Sequence, residues 1–311
     1  TGSTEMGLEI SRIGNLGFER RLNELVRYPH GCLEQTVSKI FPQLYLTELV
    51  DLTDDQAARV ASHVSEAMRK LKQFQNAAGG FSYWQVGDTR SHYSSLYAGH
   101  FLLEAERLGY YWEPEQKQRF VKFEKSQAQV FGAGSDKYSS FLQAYRLYLL
   151  ALAGSAEFGA MNRLKSFSPK GLTGLYLSAA YLRAGETSLA RDLFAKVSKE
   201  DGVIYGTETG GSFHSPTRDL ALELEIRTIF DATGATELAK KVQDTLKSGR
   251  AWNTQETSQM LRALSMYLSK QTSEGLRAEV NIDGVKEEIT SPRAIARRES
   301  AKAGALSIVN T

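Results

Sequence analysis

Apolar residues recur every three to four positions along most of this chain, and every second position only near its two ends. The first period marks helices with one buried face, the second marks strands. Met6, Leu8 and Ile10 alternate with polar neighbours in a short strand over residues 5–13. An apolar-periodic segment runs from Phe18 to Val26. A helix follows, its buried side predicted at Val37, Ile40, Phe41 and Leu44, and Pro42 is expected to kink or end it, having no backbone N–H to donate. Thr53 with Gln56 forms a capping box that opens the clearest helix, whose stripe is Ala57, Val60, Ala61, Val64, Met68, Leu71 and Phe74. Ala77-Ala78-Gly79-Gly80 stops it, and Phe81-Ser82-Tyr83-Trp84 reads as an aromatic turn. Further helices are predicted at 91–108, 114–127, 137–152, 157–166, 171–184, 187–198, 216–232, 235–247 and 254–269, the last with a capping box at Asn253 and Glu256.

The helices alternate with glycine-aromatic turns at Gly79-Gly80-Phe81, Gly132, Gly171, Gly210-Gly211-Ser212-Phe213 and Arg250-Ala251-Trp252. Helix pairs repeated at a period of roughly 40–50 residues mean a solenoid or a closed ring. Tyr145-Arg146-Leu147-Tyr148-Leu149-Leu150-Ala151-Leu152 is apolar nearly all round, so that helix is enclosed on more than one side. Enclosure favours the closed double ring and leaves an open superhelix as the alternative. The tail returns to alternation at Leu276, Ala278, Val280 and Ile282, turns at Asp283-Gly284, and continues through Val285, Glu287 and Ile289, with a last apolar run from Ala305 to Val309. The expected organisation is a strand over 1–13, a helical domain over 14–272, and a β hairpin and strand over 273–311.

Composition narrows the class without naming a function. Hydrophobic residues at 41% and charged residues at 24% suit a globular protein with a sizeable core. With 38 Lys and Arg against 36 acids, the net charge of +2 gives no argument for a nucleic-acid partner. No apolar run approaches the ~18 residues of a membrane span, so no direct membrane insertion is expected. The chain opens Thr1-Gly2-Ser3-Thr4, without an initiator methionine or signal region, and reads as a fragment or processed chain. Arg293, Arg297, Arg298 and Lys302 read as a solvated basic face. No metal or cofactor is called for.

The candidate chemistry lies in Tyr28-Pro29-His30-Gly31-Cys32-Leu33-Glu34-Gln35, which holds the only cysteine of the 311 residues. Cys32 and Gln35 are three apart at a predicted helix start, and so lie on one face. The free N–H groups and positive dipole of that first turn favour a thiolate. A thiolate against a glutamine amide can attack its carbonyl carbon, expel ammonia and leave an internal thioester. The plainer reading is an inert buried cysteine beside an ordinary glutamine.

Gly31-Cys32-Leu33-Glu34-Gln35 resembles the thioester motif of the alpha-2-macroglobulin and complement family, usually Gly-Cys-Gly-Glu-Gln. Leu33 in place of glycine is a departure familiar from the bacterial branch, and Tyr28-Pro29-His30 and Ser38-Lys39-Ile40-Phe41-Pro42 are similar to that branch too. Over roughly residues 14–272 the resemblance implies an α/α toroid inserted in a small β domain. It implies a Cys32–Gln35 thioester supported by Gly31, Leu33 and Glu34, which is acylated once onto amines of an attacking protease after bait cleavage elsewhere in the parent. Partners would be target proteases, bound through their lysines, and neighbouring domains of the parent, in the periplasm.

Within that frame Gly31 supplies backbone freedom where a small ring must close, and Leu33 lacks it. Glu34 is an acid in the first turn, favoured by the helix dipole. Tyr28 is expected to cover the bond and keep it dry, and His30 to assist deprotonation; a core tyrosine and a solvent-facing histidine are the plain alternatives. Complement members carry a histidine about a hundred residues past the cysteine that redirects the acyl group to hydroxyls. Here Val130 to Lys137 has none, so amines are the expected nucleophiles. Two other classes stay open. An α/α-toroid enzyme of terpenoid-cyclase type would need an aspartate cluster, to which Asp51, Asp54 and Asp55, also a helix N-terminus, come nearest, and one of glycosidase type two converging carboxylates; a non-covalent helical scaffold would leave Cys32 inert.

Overall fold

A computed structural model of the chain describes residues 3–10, 31–85, 91–132, 137–197, 215–248, 254–270, 276–282, 284–291, 295–302 and 306–310. Twelve α-helices lie among them: α1 (Leu33–Ile40), α2 (Gln43–Leu49), α3 (Asp54–Leu71), α4 (His92–Arg107), α5 (Pro114–Val130), α6 (Lys137–Leu152), α7 (Phe158–Ser166), α8 (Gly171–Arg183), α9 (Thr187–Val197), α10 (Pro216–Ile229), α11 (Ala235–Lys247) and α12 (Thr254–Ser269). Five strands complete the set: β1 (Ser3–Ile10), β2 (Leu276–Ile282), β3 (Val285–Ser291), β4 (Ile295–Lys302) and β5 (Leu306–Asn310).

The helices form an α/α toroid. Helices α1, α4, α6, α8, α10 and α12 pack each on the next, and α12 packs back on α1, which closes the inner ring. The remaining long helices line its outside. Burial follows the two rings. Every residue of α4 from Tyr93 to Ala105 is buried, as is every residue of α8 from Leu172 to Tyr181. Outer α3 buries only Val60, Val64, Ala67, Met68 and Leu71, and outer α11 only Ala235, Ala239, Val242, Gln243 and Leu246. A helix held between two layers has no face left for water, whereas an outer helix keeps one.

The starts and stops act as the local chemistry dictates. Thr53 and Gln56 cap α3 reciprocally, with Gln56 Oε1 accepting the Thr53 N–H at 3.0 Å. The helix breaks at Pro42, with α1 ending at Ile40 and α2 starting at Gln43. Two expectations need correction. Ala61 is exposed and Ala57 half-buried, while Ala67 takes the buried place. Small alanines at the margin of a stripe do not pull a helix round when Val60 and Val64 anchor its centre. Strand β4 went unforeseen, because Ile-Ala-Arg-Arg-Glu-Ser-Ala-Lys has no alternation to mark it. Its extended form comes from antiparallel pairing with β1, from Ser3 opposite Lys302 to Ile10 opposite Ile295.

The two ends of the chain therefore meet in one ladder. Strands β3, β2 and β5 form a second sheet, with the β2–β3 hairpin turning at Gly284, where φ is +86°. Ile10 of β1 packs with Val280 and Ile289 in a small apolar cluster of its own.

The middle of the ring is aromatic and charged at once. Arg262 of α12 and Glu225 of α10 form an ion pair in which both side chains are 1% exposed. The Arg262 guanidinium lies 4.7 Å from the centre of the Phe41 ring. Its Nη1 faces His100 Nε2 at 3.2 Å, and Tyr145 hydroxyl meets His100 Nδ1 at 2.8 Å. A buried charge persists only when it is paired and hydrogen-bonded. The network meets that demand for Arg262 and ties α4, α6, α10 and α12 together, while Glu225 pairs through Oε2 and its buried Oε1 has no hydrogen-bond partner among the described residues.

Candidate functional site

The site is the N-terminus of α1. Cys32 is its N-cap, with extended backbone at φ −68° and ψ 176°. Its carbonyl accepts the first helical bond from Thr36 N–H at 2.9 Å. The next residue's N–H, on Leu33, would otherwise lack a partner, and donates instead to the Tyr83 carbonyl at 3.1 Å. The aromatic turn after α3 thus holds the start of α1 in place.

Cys32 and Gln35 make a capping box in which cysteine takes the usual serine position. Gln35 Oε1 accepts the Cys32 backbone N–H at 3.3 Å, and the Cys32 side chain faces the Gln35 backbone N–H. The glutamine amide is folded back over the helix start on the same side as the sulfur. Cys32 is 3% exposed, while Gln35 is exposed. The sulfur is enclosed and the amide carbonyl is on the open side.

Gly31 makes this fold-back possible. Its φ is +118°, a backbone region closed to most side chains. A Cβ there would sit 2.0 Å from Gln35 Oε1 and 3.0 Å from Gln35 Cδ. Leu33 behaves differently from a second glycine. It is 0% exposed, in the first turn of α1, and its side chain belongs to the main core. The leucine anchors the helix start where a glycine would leave a hole.

Glu34 does more than face a helix dipole. It is buried and accepts hydrogen bonds from Ser38 Oγ at 2.6 Å and from Thr254 Oγ1 at 3.3 Å. Tyr97 hydroxyl lies 2.9 Å from Ser258 Oγ and 3.4 Å from Ser38 Oγ, so the same polar chain links α1, α4 and α12. The site therefore lies at the seam where the first described helix meets the last. Tyr28 and His30 fall outside the described residues.

Tyr83 was missed by sequence reasoning, which saw it only as part of an aromatic turn. Burial, and then its hydrogen bond to the Cys32 side chain, hold its phenol well above the ordinary tyrosine range, so it stays protonated as a hydrogen-bond donor. Trp84 meets it edge to face at 5.6 Å between ring centres and is itself 62% exposed. Lys70 at the end of α3 also feels the site. Burial and then Lys39 lower its ammonium pKa, and Cys32 pulls it back up. No spacing rule links residues 32, 70 and 83; only the Gly79-Gly80-Phe81 punctuation hinted at a special loop.

Chemically, the arrangement suits attack of a Cys32 thiolate on the Gln35 amide carbon. The carbonyl oxygen already has a backbone N–H donor, and charge developing on it lies at the positive end of α1. A closed ring of helix pairs with this cysteine–glutamine turn on its first helix defines an α/α toroid of the thioester-domain class. Residues 4–108 match the family model described as the A-macroglobulin TED domain. Alpha-2-macroglobulin of Escherichia coli K12 is 26% identical over 225 residues, covering 68% of this chain and 14% of the relative. That of Xylella fastidiosa strain Temecula1 is 26% identical over an alignment of 327 positions, covering 97% of this chain and 20% of the relative. The chain thus spans only about a seventh to a fifth of these relatives' length.

Among solved structures, native E. coli alpha-2-macroglobulin from domain MG7 to the C-terminus superposes with a TM-score of 0.75 at 24% identity, covering 95% of this chain and 48% of that one. Salmonella alpha-2-macroglobulin reacted with methylamine superposes at 0.73 and 22% identity, covering 99% of this chain and 23% of that one. Over residues 4–108 by the family model, and over nearly its whole length by fold, this chain is similar to the thioester domain of bacterial alpha-2-macroglobulins.

Proposed function

We propose that Cys32 and Gln35 close an internal thioester and that it is spent once, on an amine. The observation that carries this is the Gln35 amide folded onto the Cys32 N–H at 3.3 Å, beside an enclosed sulfur. In closure, the S–Cδ bond forms, the C–N bond of the amide breaks, and the thiol proton leaves with the nitrogen as ammonia. In capture, an amine nitrogen attacks Cδ from the open side, the C–S bond breaks, and the proton lost by the amine ends on sulfur. The acyl group is consumed, so no turnover follows.

In the parent protein the amines would be lysines of an attacking protease, presented after cleavage of a bait segment elsewhere. Support comes from relatives: E. coli alpha-2-macroglobulin has been solved activated by porcine elastase, and the Salmonella protein reacted with methylamine. The reading extends to a helical domain over 14–272 between β segments, to contacts with neighbouring domains of the parent, and to the periplasm. Tyr28 is assigned the cover over the bond, and His30 a part in moving the proton. The chain from Val130 to Lys137 carries no histidine, which favours amines over hydroxyls.

Intact mass decides the matter. The freshly purified chain is expected to weigh one ammonia less than its sequence, and methylamine to restore that mass and release one titratable thiol. Glycerol at equal concentration should be incorporated far less. A full sequence mass with a free thiol before treatment refutes the thioester; a mass one water above the thioester form, with Gln35 read as glutamate, marks a bond formed and then hydrolysed.

A further inference from the structure

We infer that the Tyr83 hydroxyl is the side-chain hydrogen-bond donor to the Cys32 sulfur when the thioester closes and when it opens. The inference rests on the thioester reading above and adds a residue to it. Two independent contacts set Tyr83 in place. Its carbonyl takes the Leu33 N–H at 3.1 Å, which locks the aromatic turn to the first residue of α1. Its hydroxyl is hydrogen-bonded to the Cys32 side chain. The turn itself is braced from the other side, where Phe81 bridges Gln75, Ser82 N–H donates to the Phe74 carbonyl at 2.8 Å, and Ser95 Oγ accepts the Phe81 N–H at 3.1 Å. A donor carried on a braced turn keeps its aim while the sulfur changes its bonding.

Sulfur bears negative charge at both ends of the reaction. It attacks as a thiolate during closure and departs as a thiolate during capture. The Gln35 backbone N–H faces the sulfur as a second donor, fixed in the first turn of α1. The Cys32 N–H is directed at Gln35 Oε1, on the acyl side, and the sulfur is shut off from bulk water. Burial keeps the Tyr83 phenol protonated across the working pH range, so a donor is always present. When the C–S bond breaks, Tyr83 keeps its proton and holds the departing thiolate by a hydrogen bond, and the proton lost by the amine ends on sulfur. The sum is amine plus thioester giving amide plus thiol, with Tyr83 unchanged. Lys70 adds a cation on the same side, which favours charge on the sulfur without supplying the directed bond.

The test compares the full chain with Tyr83→Phe, which removes only the hydroxyl. Thioester content is read as the ammonia deficit by intact mass, opening as thiol release in methylamine, and integrity of the fold from thermal unfolding. A hydrogen bond to a charged atom is worth roughly tenfold or more in rate. Tyr83→Phe is therefore expected to unfold near the parent temperature and to react with methylamine about tenfold more slowly. Loss of the deficit in the variant alone, at unchanged unfolding temperature, also supports the assignment, since closure needs the same bond. Equal rates in the two proteins overturn it. So does a faster variant, because faster opening would mean that the ring merely kept water away. If the unsubstituted chain shows no deficit and no water-shifted product, the thioester reading itself fails, a result separate from any behaviour of the variant.

Discussion

Gly31→Ala separates the chemistry of the site from the stability of the fold. An alanine at φ +118° is strained whatever the space, at a cost of about 2 kcal/mol. In a chain of this size that is a fall of a few degrees in unfolding temperature. The larger consequence is local. The new Cβ would lie 2.0 Å from Gln35 Oε1, and a real Cβ stays at least 3.0 Å away, so the amide must retreat by about 1 Å. Gln35 is exposed and flexible, so the retreat itself is cheap for the fold. It removes the 3.3 Å bond from the Cys32 N–H and takes the amide carbon away from the sulfur. Misplacement of that order costs about a hundredfold in rate. The assay is the ammonia deficit by intact mass at fixed times after purification, beside a thermal melt. The variant should melt a few degrees lower and carry little or no thioester. Parent-level occupancy at the lower melting temperature would refute the idea that Gly31 exists to seat the Gln35 amide.

Leu33→Gly would restore the glycine usual in the family motif, yet it should destabilise the chain by about 3–5 kcal/mol, through the cavity left by a fully buried leucine and the freedom of the unfolded chain; a denaturant melt within 1 kcal/mol of the parent would contradict this. His100→Gln probes the centre of the ring. Burial, then the Arg262 cation, hold the His100 pKa well below 6.5, so the unfolded chain binds a proton that the folded chain refuses, and stability is lost as pH falls below about 6.5. Glu225 has the opposite sign, since burial raises it to about 7 and its contribution grows as pH falls through that value, but it is common to both proteins. Between pH 7 and 5 the parent should lose about 2 kcal/mol more than His100→Gln, measured by denaturant unfolding, and parallel pH profiles would show His100 to be silent.

Much of the helical body was legible because helix starts are chemical events between near neighbours. Thr53 and Gln56 cap α3, Pro114 and Pro216 open α5 and α10, and Cys32 with Gln35 begins α1 by the same reciprocal logic. The pair could therefore be picked out before its geometry was known. Strand β4 escaped because its reason for being extended is β1, almost three hundred residues away in the chain. Tyr83 escaped for the same reason, since its contact with Cys32 spans fifty-one positions and follows no period.

What the sequence by itself determined was the period of the helices, their caps and stops, and the cysteine and glutamine three apart at a helix start. All of these depend on interactions within a few residues. The tertiary structure decided the rest: that α12 returns to α1 and closes the ring, that Glu34 becomes a buried strut between them, that Leu33 is an anchor in the core, and that the sulfur is enclosed while the amide faces out. Burial and long-range hydrogen bonds are properties of the packed chain, and neither is written in the spacing of a motif.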